Sequence, residues 1–591
     1  MNHRRFVGVI AASILFGLGF FIRSKFFENI WISIFAHPIA APFVLVESSK
    51  KSGLINTHQK FKVSPKLANI APILAALAGA AVAVTDYNRD GWMDVYVTNA
   101  AKGSMNKLFR NNHDGTFTDV AKQAGIADVN RGGGSFDALF FDYDNDGYDD
   151  LLLSAYPCLK LFHNNGNGTF TDVTKKSGLH HCGNTYAMNV IDYDNDGYLD
   201  VIVADYYKPV NLLNPQTTKF MWNGTYADNG GPIVVFHNNR NGTFSSVKGN
   251  LGIKSRGWTW AIGIYHLLGS LYPDIFFATD FGPSQLYQNL GHGLFKNRSE
   301  FINRDDDSAM SAEAADLDND EIPFVSASGI YEPSSATSLY GNSLWEFLSP
   351  HQAKDIARER RIAHCGWSWG QKFIDLDNDG LLDLIVANGF ISAGPKDYRY
   401  QAGILGQGMG DLSTNAKLWP PMKHDSFDGY QQKCVFHNLG KSFEDVTDSV
   451  GLVHDFSDGR AVAAIDALNN GRVGFLIANV GQPIHFYLNE TKNSNHWIGF
   501  TLQGTQSNRD GFGAIIQVKN GPTTMSRELE PANGLMSESD SRLHFGLGKN
   551  PNIREIDVLW PSGIKQRFRG KILKQFKVDH YHLIQEPRVQ K

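Results

Sequence analysis

With 591 residues, 42% hydrophobic and 12% aromatic, the chain is too long for one small domain and has enough apolar side chains to bury large cores, which excludes a disordered polymer. A formal net charge of −5 excludes the broad basic footprint that nucleic acid requires, so no nucleic-acid partner is expected. Cys158, Cys182, Cys365 and Cys434 form no C-x-x-C pair and give no zinc or thioredoxin-like motif; the alternatives are one disulfide, Cys158 to Cys182, or free buried thiols.

The chain opens with Arg4 and Arg5, an apolar run from Phe6 to Ile22, and then Arg23 and Lys25. At about 1.5 Å per helical residue this run falls just short of a bilayer core. Residues 1–25 therefore read as a signal peptide or membrane anchor helix. No cysteine follows closely, which argues against a lipoprotein, and the lack of a sharp A-x-A site favours a retained anchor. The body of the protein is then extracytoplasmic, held to the membrane by this helix, or secreted or periplasmic if the helix is cleaved. Residues 26–69 read as a linker with a second apolar stretch, Ile30 to Val46, which His37, Pro38 and Pro42 make a poorer span. If it crossed, the bulk of the chain would return to the cytoplasm, and basic residues on both sides of the first run leave the positive-inside rule undecided.

From about residue 70 the chain repeats itself. DYNRDGWMDVYV begins at Asp86, DYDNDGYDDLLL at Asp142, DYDNDGYLDVIV at Asp192 and DLDNDGLLDLIV at Asp375. DLDNDEIPFVSA at Asp316, DALNNGRVGFLI at Asp466 and HLLGSLYPDIFF at His266 keep progressively less, which makes seven units. A second element follows several of them: LFRNNHDGTFTDV at Leu108, LFHNNGNGTFTDV at Leu161, VFHNNRNGTFSSV at Val235, LYQNLGHGLF at Leu286 and VFHNLGKSFEDV at Val435. Each reads as a strand, a turn of residues that tolerate positive φ, and another strand. Short strands without helical periodicity predict an all-β fold, a seven-bladed β-propeller over 70–490.

Each intact loop gathers carboxylates. The candidate metal ligands are Asp86, Asn88, Asp90 and Asp94 with the carbonyl of Trp92; Asp142, Asp144, Asp146 and Asp150 with that of Tyr148; Asp192, Asp194, Asp196 and Asp200 with that of Tyr198; and Asp375, Asp377, Asp379 and Asp383 with that of Leu381. Two like charges 4 Å apart repel by about 1 kcal/mol in water and about 4 kcal/mol at an effective dielectric of 20, so the cluster opposes folding without a cation. Hard oxygens at this spacing suit Ca2+. An EF-hand would place a bidentate Glu at position twelve, where this chain has Val97, Leu153, Val203 and Val386 inside apolar strands. With Asp at position nine and a strand behind it, the pattern resembles the FG-GAP or VCBS repeats of integrin α-chain propellers. The ion is expected to be structural. The Asp316 loop keeps Asp318 and Asp320 but has Glu321 in place of Gly and Phe324 at position nine, so no ion is assigned to it, and the His266 and Asp466 loops read as metal-free turns.

Residues 491–591 change grammar: NRDGFGAIIQVKNG from Asn508, SRELEPANGLMSESDSRLHFGLG from Ser526, then IDVLWPSGIKQRF from Ile556. Gly511 and Gly513 with Ala514, Arg527 with Glu528, His544 to Gly548, and Trp560 to Gly563 resemble the ASPIC/UnbV domain found behind FG-GAP repeats in cartilage acidic protein and its bacterial relatives. The resemblance implies a C-terminal β-rich domain and a secreted or surface-exposed calcium-binding protein with adhesive or interaction roles.

Three insertions depart from the repeat: Asp205 to Pro232 with Trp222; Tyr331 to His364, whose SLWEFLSPHQAKDIARERRIA reads as a helix pair; and Gly389 to Lys433 with Trp419. Long loops on a rigid ring commonly carry binding function, packing over blade edges being the alternative. GWSWG at Gly366 matches G-x-S-x-G but runs into a repeat loop, as GWTWA at Gly257 does, and both read as inner strands rather than a nucleophile elbow. Trp258, Trp260, Trp367 and Trp369 read as packing between blades, stacking on a sugar in the channel being the alternative. GQGMG at Gly406 lacks the context of a dinucleotide site, and the NGT triplets at Asn167, Asn223 and Asn241 read as turns. The function expected is a non-enzymatic calcium-stabilised module that binds a protein or glycan ligand. The alternatives are an enzyme on a carbohydrate or secondary metabolite, with His266, Glu313, His364 and His437 as candidate titratable groups, and a periplasmic assembly scaffold.

Overall fold

The computed structural model describes residues 40–588 apart from 224–225, 303–307, 333–338, 400, 402–410 and 453. The expected helix over 1–25 and the GQGMG segment lie outside the described residues. No helix among the described residues is long and apolar enough to cross a membrane. The end of the second apolar stretch is a strand, Leu45–Glu47, paired antiparallel with His485–Asn489.

The fold is all-β, built of many small sheets with few helices. In chain order the first strands of the repeat sheets are Val82–Thr85, Ser135–Phe141, Thr185–Ile191, Trp258–Tyr265, Glu313–Ala315, Ser368–Ile374 and Gly459–Ile465. Each is followed antiparallel by a second and third strand of the same sheet. A fourth strand completes each sheet, and in the seventh it comes from the other end of the chain, Leu45–Glu47. First strands such as Thr185–Ile191 are buried at every position, which explains their unbroken apolar runs: both faces meet a neighbouring layer. Each first strand contacts the next, and Gly459–Ile465 contacts Val82–Thr85.

One asparagine in each repeat sheet but the fifth ties these layers together. In the second and third sheets, Asn164 Nδ2 donates to Tyr87 O (2.9 Å) and Asn238 Nδ2 to Tyr143 O (2.7 Å), each in the loop of the preceding sheet. Asn289, Asn438 and Asn489 repeat the bond onto Tyr193, Leu317 and Leu376, and Asn111 of the first sheet reaches Ala467 of the seventh. These buried amides satisfy carbonyls that a loop between layers would otherwise orphan.

The C-terminal residues form a four-stranded sheet, Thr523–Glu528, Ile515–Asn520, Ile553–Leu559 and Lys565–Arg569, and a three-stranded one, Leu543–Gly548, His496–Gln503 and Tyr581–Gln585. The chain between them runs across the first strands of the repeat sheets. Ser537 pairs in parallel with Val82, Glu538 Oε2 accepts from Phe140 N (2.8 Å), Ala532 O from Asn189 Nδ2 (3.0 Å), and Gly534 N donates to Ala312 O (2.7 Å).

The stretch 343–363 is not the expected helix pair. Ser343–Ser349 and Gln352–Asp355 are the third and fourth strands of the fifth sheet. Its helix-favouring composition yields to the open edge of Phe324–Ala327, which takes up the backbone bonds while Leu344, Trp345 and Phe347 enter the core. All four cysteines are oxidised: Cys158 bonds Cys182 as weighed, and Cys365 bonds Cys434, a pair that sequence spacing did not indicate. The first and third insertions each join a second to a third strand and pack on each other, with Trp222 edge-on to Trp419 at 4.8 Å. Trp258, Trp260 and Trp369 are buried in the same aromatic cluster.

Candidate metal centres

Each acidic loop joins the first strand of its sheet to the second: in the third sheet the first strand ends at Ile191 and the second begins at Asp200. The turn is set by backbone chemistry. Position four takes positive φ, at Arg89, Asn145, Asn195, Asn319, Asn378 and Asn469, and position six does so again at the glycines. Glu321 holds φ 73° where the fifth loop has lost its glycine. Position one closes the turn: Asp192 accepts from Asp196 N (2.9 Å) and Gly197 N (3.0 Å), and Asp142, Asp86 and the degenerate Asp466 loop repeat the pair. At position seven, Trp92, Tyr148, Tyr198 and Leu381 donate their N–H to the position-five carboxylates Asp90, Asp146, Asp196 and Asp379.

The carboxylates converge. Oxygens of Asp142, Asp144 and Asp150 lie within 4.8 Å of one another, as do those of Asp192, Asp194 and Asp196 and those of Asp316, Asp318 and Asp320. Burial, followed by the Asp200 carboxylate, pushes Asp192 up to about 8, and burial with Asp510 pushes Asp142 up to about 9. Burial first, then like charges, holds Asp375 well above the usual carboxylate range, and Asp94 rises to about 8 for the same kind of reason. Several oxygens are left over: Asp94 Oδ2, Asp194 Oδ1 and Asp375 Oδ1 are buried with no hydrogen-bond partner. Buried, unpaired carboxylate oxygen is costly unless a cation meets it, so the donor set fits a hard divalent ion.

Sequence reasoning missed a histidine at three of these clusters. His163, His237 and His437, from the third-strand FHN motifs, place Nδ1 at 3.1, 3.1 and 2.8 Å from Asp150, Asp200 and Asp383, the position-nine carboxylates. These contacts raise each imidazole above its ordinary value, with burial opposing most strongly at His437. Since a hard cation prefers oxygen, the imidazoles serve to orient the position-nine carboxylates. The recurrence of His directly after an apolar pair, at His163, His237 and His437, was the available signal.

The degenerate loops carry protein cations. Arg360, from the second insertion, places Nη2 2.6 Å from Asp318 Oδ2. Arg542 donates to Asp466 O (3.2 Å) and Asn469 Oδ1, and Tyr581 donates its hydroxyl to Asp466 Oδ2 (3.0 Å). His266 sits between Glu528 Oε1 (2.7 Å) and Leu271 O (3.2 Å).

The candidate titratable groups divide. His266 and Glu313 line one cavity of about 470 Å³ with Lys372, Glu528, Glu530 and Arg527. Glu313 meets Lys372 Nζ at 3.0 Å, and burial raises both Glu313 and Glu530. His364 stacks on Tyr331 instead, and His437 belongs to the Asp383 cluster.

Comparison with known proteins bears on both halves of the chain. The ASPIC and UnbV family model matches residues 504–591, and the FG-GAP-like repeat model matches 73–153, 154–203 and 267–323. The chain therefore carries FG-GAP-like repeats and a C-terminal ASPIC/UnbV domain. It is similar to cartilage acidic protein 1 of Mus musculus, 31% identical over 185 residues, which are 29% of this chain and 27% of that protein. The chain thus spans about a quarter of the length of this curated relative. Among solved structures, an Agrocybe aegerita lectin that recognises non-reducing terminal N-acetylglucosamine gives a TM-score of 0.36 at 15% identity, over 62% of this chain and 80% of that one. BBS1N in complex with ARL6DN gives 0.37 at 10% identity, over 73% and 97%.

Proposed function

We propose that this chain, with its FG-GAP-like repeats and ASPIC/UnbV domain, is an exported seven-bladed propeller that holds Ca2+ in its acidic loops and binds a protein or glycan partner. Support for the ring comes from the circuit of first strands, the asparagine bonds that run from sheet to sheet and return from Asn111 to Ala467, and the seventh sheet completed by Leu45–Glu47. On this reading residues 70–490, with that strand, form the propeller, and 491–591 the second domain. The observation that carries the calcium assignment is the set of partnerless buried oxygens on Asp94, Asp194 and Asp375, all within loops of one design. Two disulfides favour an oxidising, extracytoplasmic compartment, with residues 1–25 as signal or anchor.

The ligand surface falls on the end of the ring opposite the acidic loops. Connections from second to third strands emerge there, carrying the insertions, whereas the C-terminal domain lies against the acidic-loop end. Tyr226 and Tyr430 on those insertions are 61% and 57% exposed, a rigid aromatic presentation suited to a protein or sugar surface. The test is thermal unfolding of the full chain with millimolar calcium and with chelator. A ligand at a hundred times its dissociation constant stabilises by about 2.7 kcal/mol per site, so several sites should raise the midpoint by many degrees. Identical midpoints would refute the calcium assignment.

A second reading, an enzyme on a carbohydrate or secondary metabolite, draws on the cavity that His266, Glu313 and Glu530 share. It requires that a candidate glycan be altered after incubation with the chain; a bound and unchanged glycan favours the binding module.

A further inference from the structure

We propose that the cation site of the sixth sheet is completed by the C-terminal domain, so that ion binding at Asp375 and docking of that domain form one linked equilibrium. The inference rests on the calcium reading above and extends it to a role for the second domain.

The loops differ in who holds their position-one carboxylate. Both oxygens of Asp192 accept from their own turn, Asp196 N and Gly197 N. Asp375 directs Oδ2 at two donors, Gly380 N of its own loop (3.0 Å) and Gly546 N of the C-terminal domain (3.1 Å). Its Oδ1 is buried without a partner, and the residue is only 2% exposed. One oxygen of a single carboxylate is therefore committed to the second domain while the other is left for an ion.

The same strand grips the next part of the loop. Gly548 N donates to Asn378 O (2.8 Å), and His544 Nε2 meets Asn378 Oδ1 at 2.6 Å. The backbone approach at Gly546 is closer than a side chain permits: a Cβ there would fall 2.1 Å from Asp375 Oδ2 and 2.5 Å from Asn378 C. From the other side, Asn493 and Asn495 donate to Asp377 O, the backbone of position three. The C-terminal domain thus fixes positions one, three and four of this loop.

The direction of the linkage follows from geometry. The open Oδ1 and the Gly546-bound Oδ2 belong to one carboxylate, so a cation on Oδ1 and the N–H of Gly546 on Oδ2 hold the same side chain in the same orientation. Whichever binds first removes the freedom that the other would otherwise have to remove, and so each strengthens the other. By reciprocity, docking of Gly546 must raise the affinity for the ion by the same factor.

The experiment uses the full chain. Calcium titration by calorimetry on wild type and Gly546→Ala should show one class of sites weakened at least tenfold in the variant, with the others unchanged. Amide hydrogen exchange on wild type should show Gly546 and Gly548 protected at least tenfold more with calcium than with chelator. Asp192→Asn should remove a site while leaving that protection in place. Gly546→Ala with wild-type affinities at every site, or exchange at 546 and 548 that ignores calcium, overturns the linkage. If Gly546→Ala fails to fold, the wild-type exchange measurement decides alone. A wild-type chain that binds calcium but shows neither effect refutes only this inference; one that binds none refutes the calcium reading with it.

Discussion

The contact between His266 and Glu528 makes a pH-dependent clamp between the fourth sheet and the C-terminal domain. Both ring nitrogens face acceptors, Glu528 Oε1 at 2.7 Å and Leu271 O at 3.2 Å, so both must carry protons and the ring is an imidazolium. Burial opposes that charge, but the Glu528 carboxylate, the Leu271 carbonyl and Asp274 more than offset it and hold His266 at about 9 against an ordinary 6.5. That gap is worth about 3 kcal/mol. Because the folded value is raised, the stabilisation is fully present below pH 6.5 and is lost as pH rises through 9. Glu530, pushed up by burial and by Glu313 and Glu528, loses its contribution in the same direction, so a variant must separate the two. Urea unfolding at fixed saturating calcium, from pH 6.5 to 9.5, should show wild type losing about 3 kcal/mol more than His266→Gln. The variant itself should be less stable at pH 6.5 by a similar amount, since Glu528 loses its charged partner and keeps only the backbone N–H of residue 266. Parallel pH curves for the two proteins would refute the clamp.

Two further outcomes follow from the fold. Replacing Cys365 and Cys434 by Ala should cost about 4 kcal/mol and replacing Cys158 and Cys182 about 3, because the first pair closes 69 residues and the second 24; denaturant midpoints that rank the pairs in the opposite order would contradict loop closure as the source. Arg360→Gln should destabilise the calcium-free chain by about 1–3 kcal/mol, since half-buried Asp318 loses its charged partner beside Asp316 and Asp320, and calcium should recover part of the loss through a site that wild type lacks. An unchanged number of bound calcium ions in that variant would show that Arg360 does not stand in for an ion.

The strands and the acidic loops were legible because both are written locally. A strand buried on both faces needs an unbroken apolar run, and a turn that gathers carboxylates needs Asp at alternate positions with Asn or Gly where φ is positive; each repeats from unit to unit. What escaped depends on partners distant in sequence. Ser343–Ser349 and Gln352–Asp355 carry a helix-like composition and become strands because the Phe324–Ala327 edge is open beside them. Cys365 meets Cys434 across an insertion whose path no spacing rule gives. The asparagines of the FHN motifs read as turn residues, and their bonds to carbonyls of the preceding sheet exist only once the sheets are assembled.

The distribution of cations over the repeat sheets follows from the same distinction. A pocket of carboxylates between packed layers must be neutralised, and the chain meets that need in two ways. At the Asp192 loop, with Gly at position six and Asp at position nine, the arginine that reaches the carboxylates is exposed: Arg240 pairs with Asp196 but is 56% exposed on its side chain and can swing into water. At the Asp375 loop, by contrast, the buried Arg527 of the C-terminal domain donates Nη2 to Gly380 O (3.3 Å). Where that grammar has decayed, a buried cation arrives from elsewhere, and Arg360, 7% exposed on its side chain, cannot leave Asp318 without unpacking the fifth sheet. Arg542 at the Asp466 loop and His266 at its own loop come from or bond to the C-terminal domain. Loss of a ligand set in the repeats is thus matched by a fixed charge drawn from an insertion or from the second domain, and the C-terminal domain bears both on degenerate loops, through Arg542 and Glu528, and on the intact Asp375 loop, through Gly546.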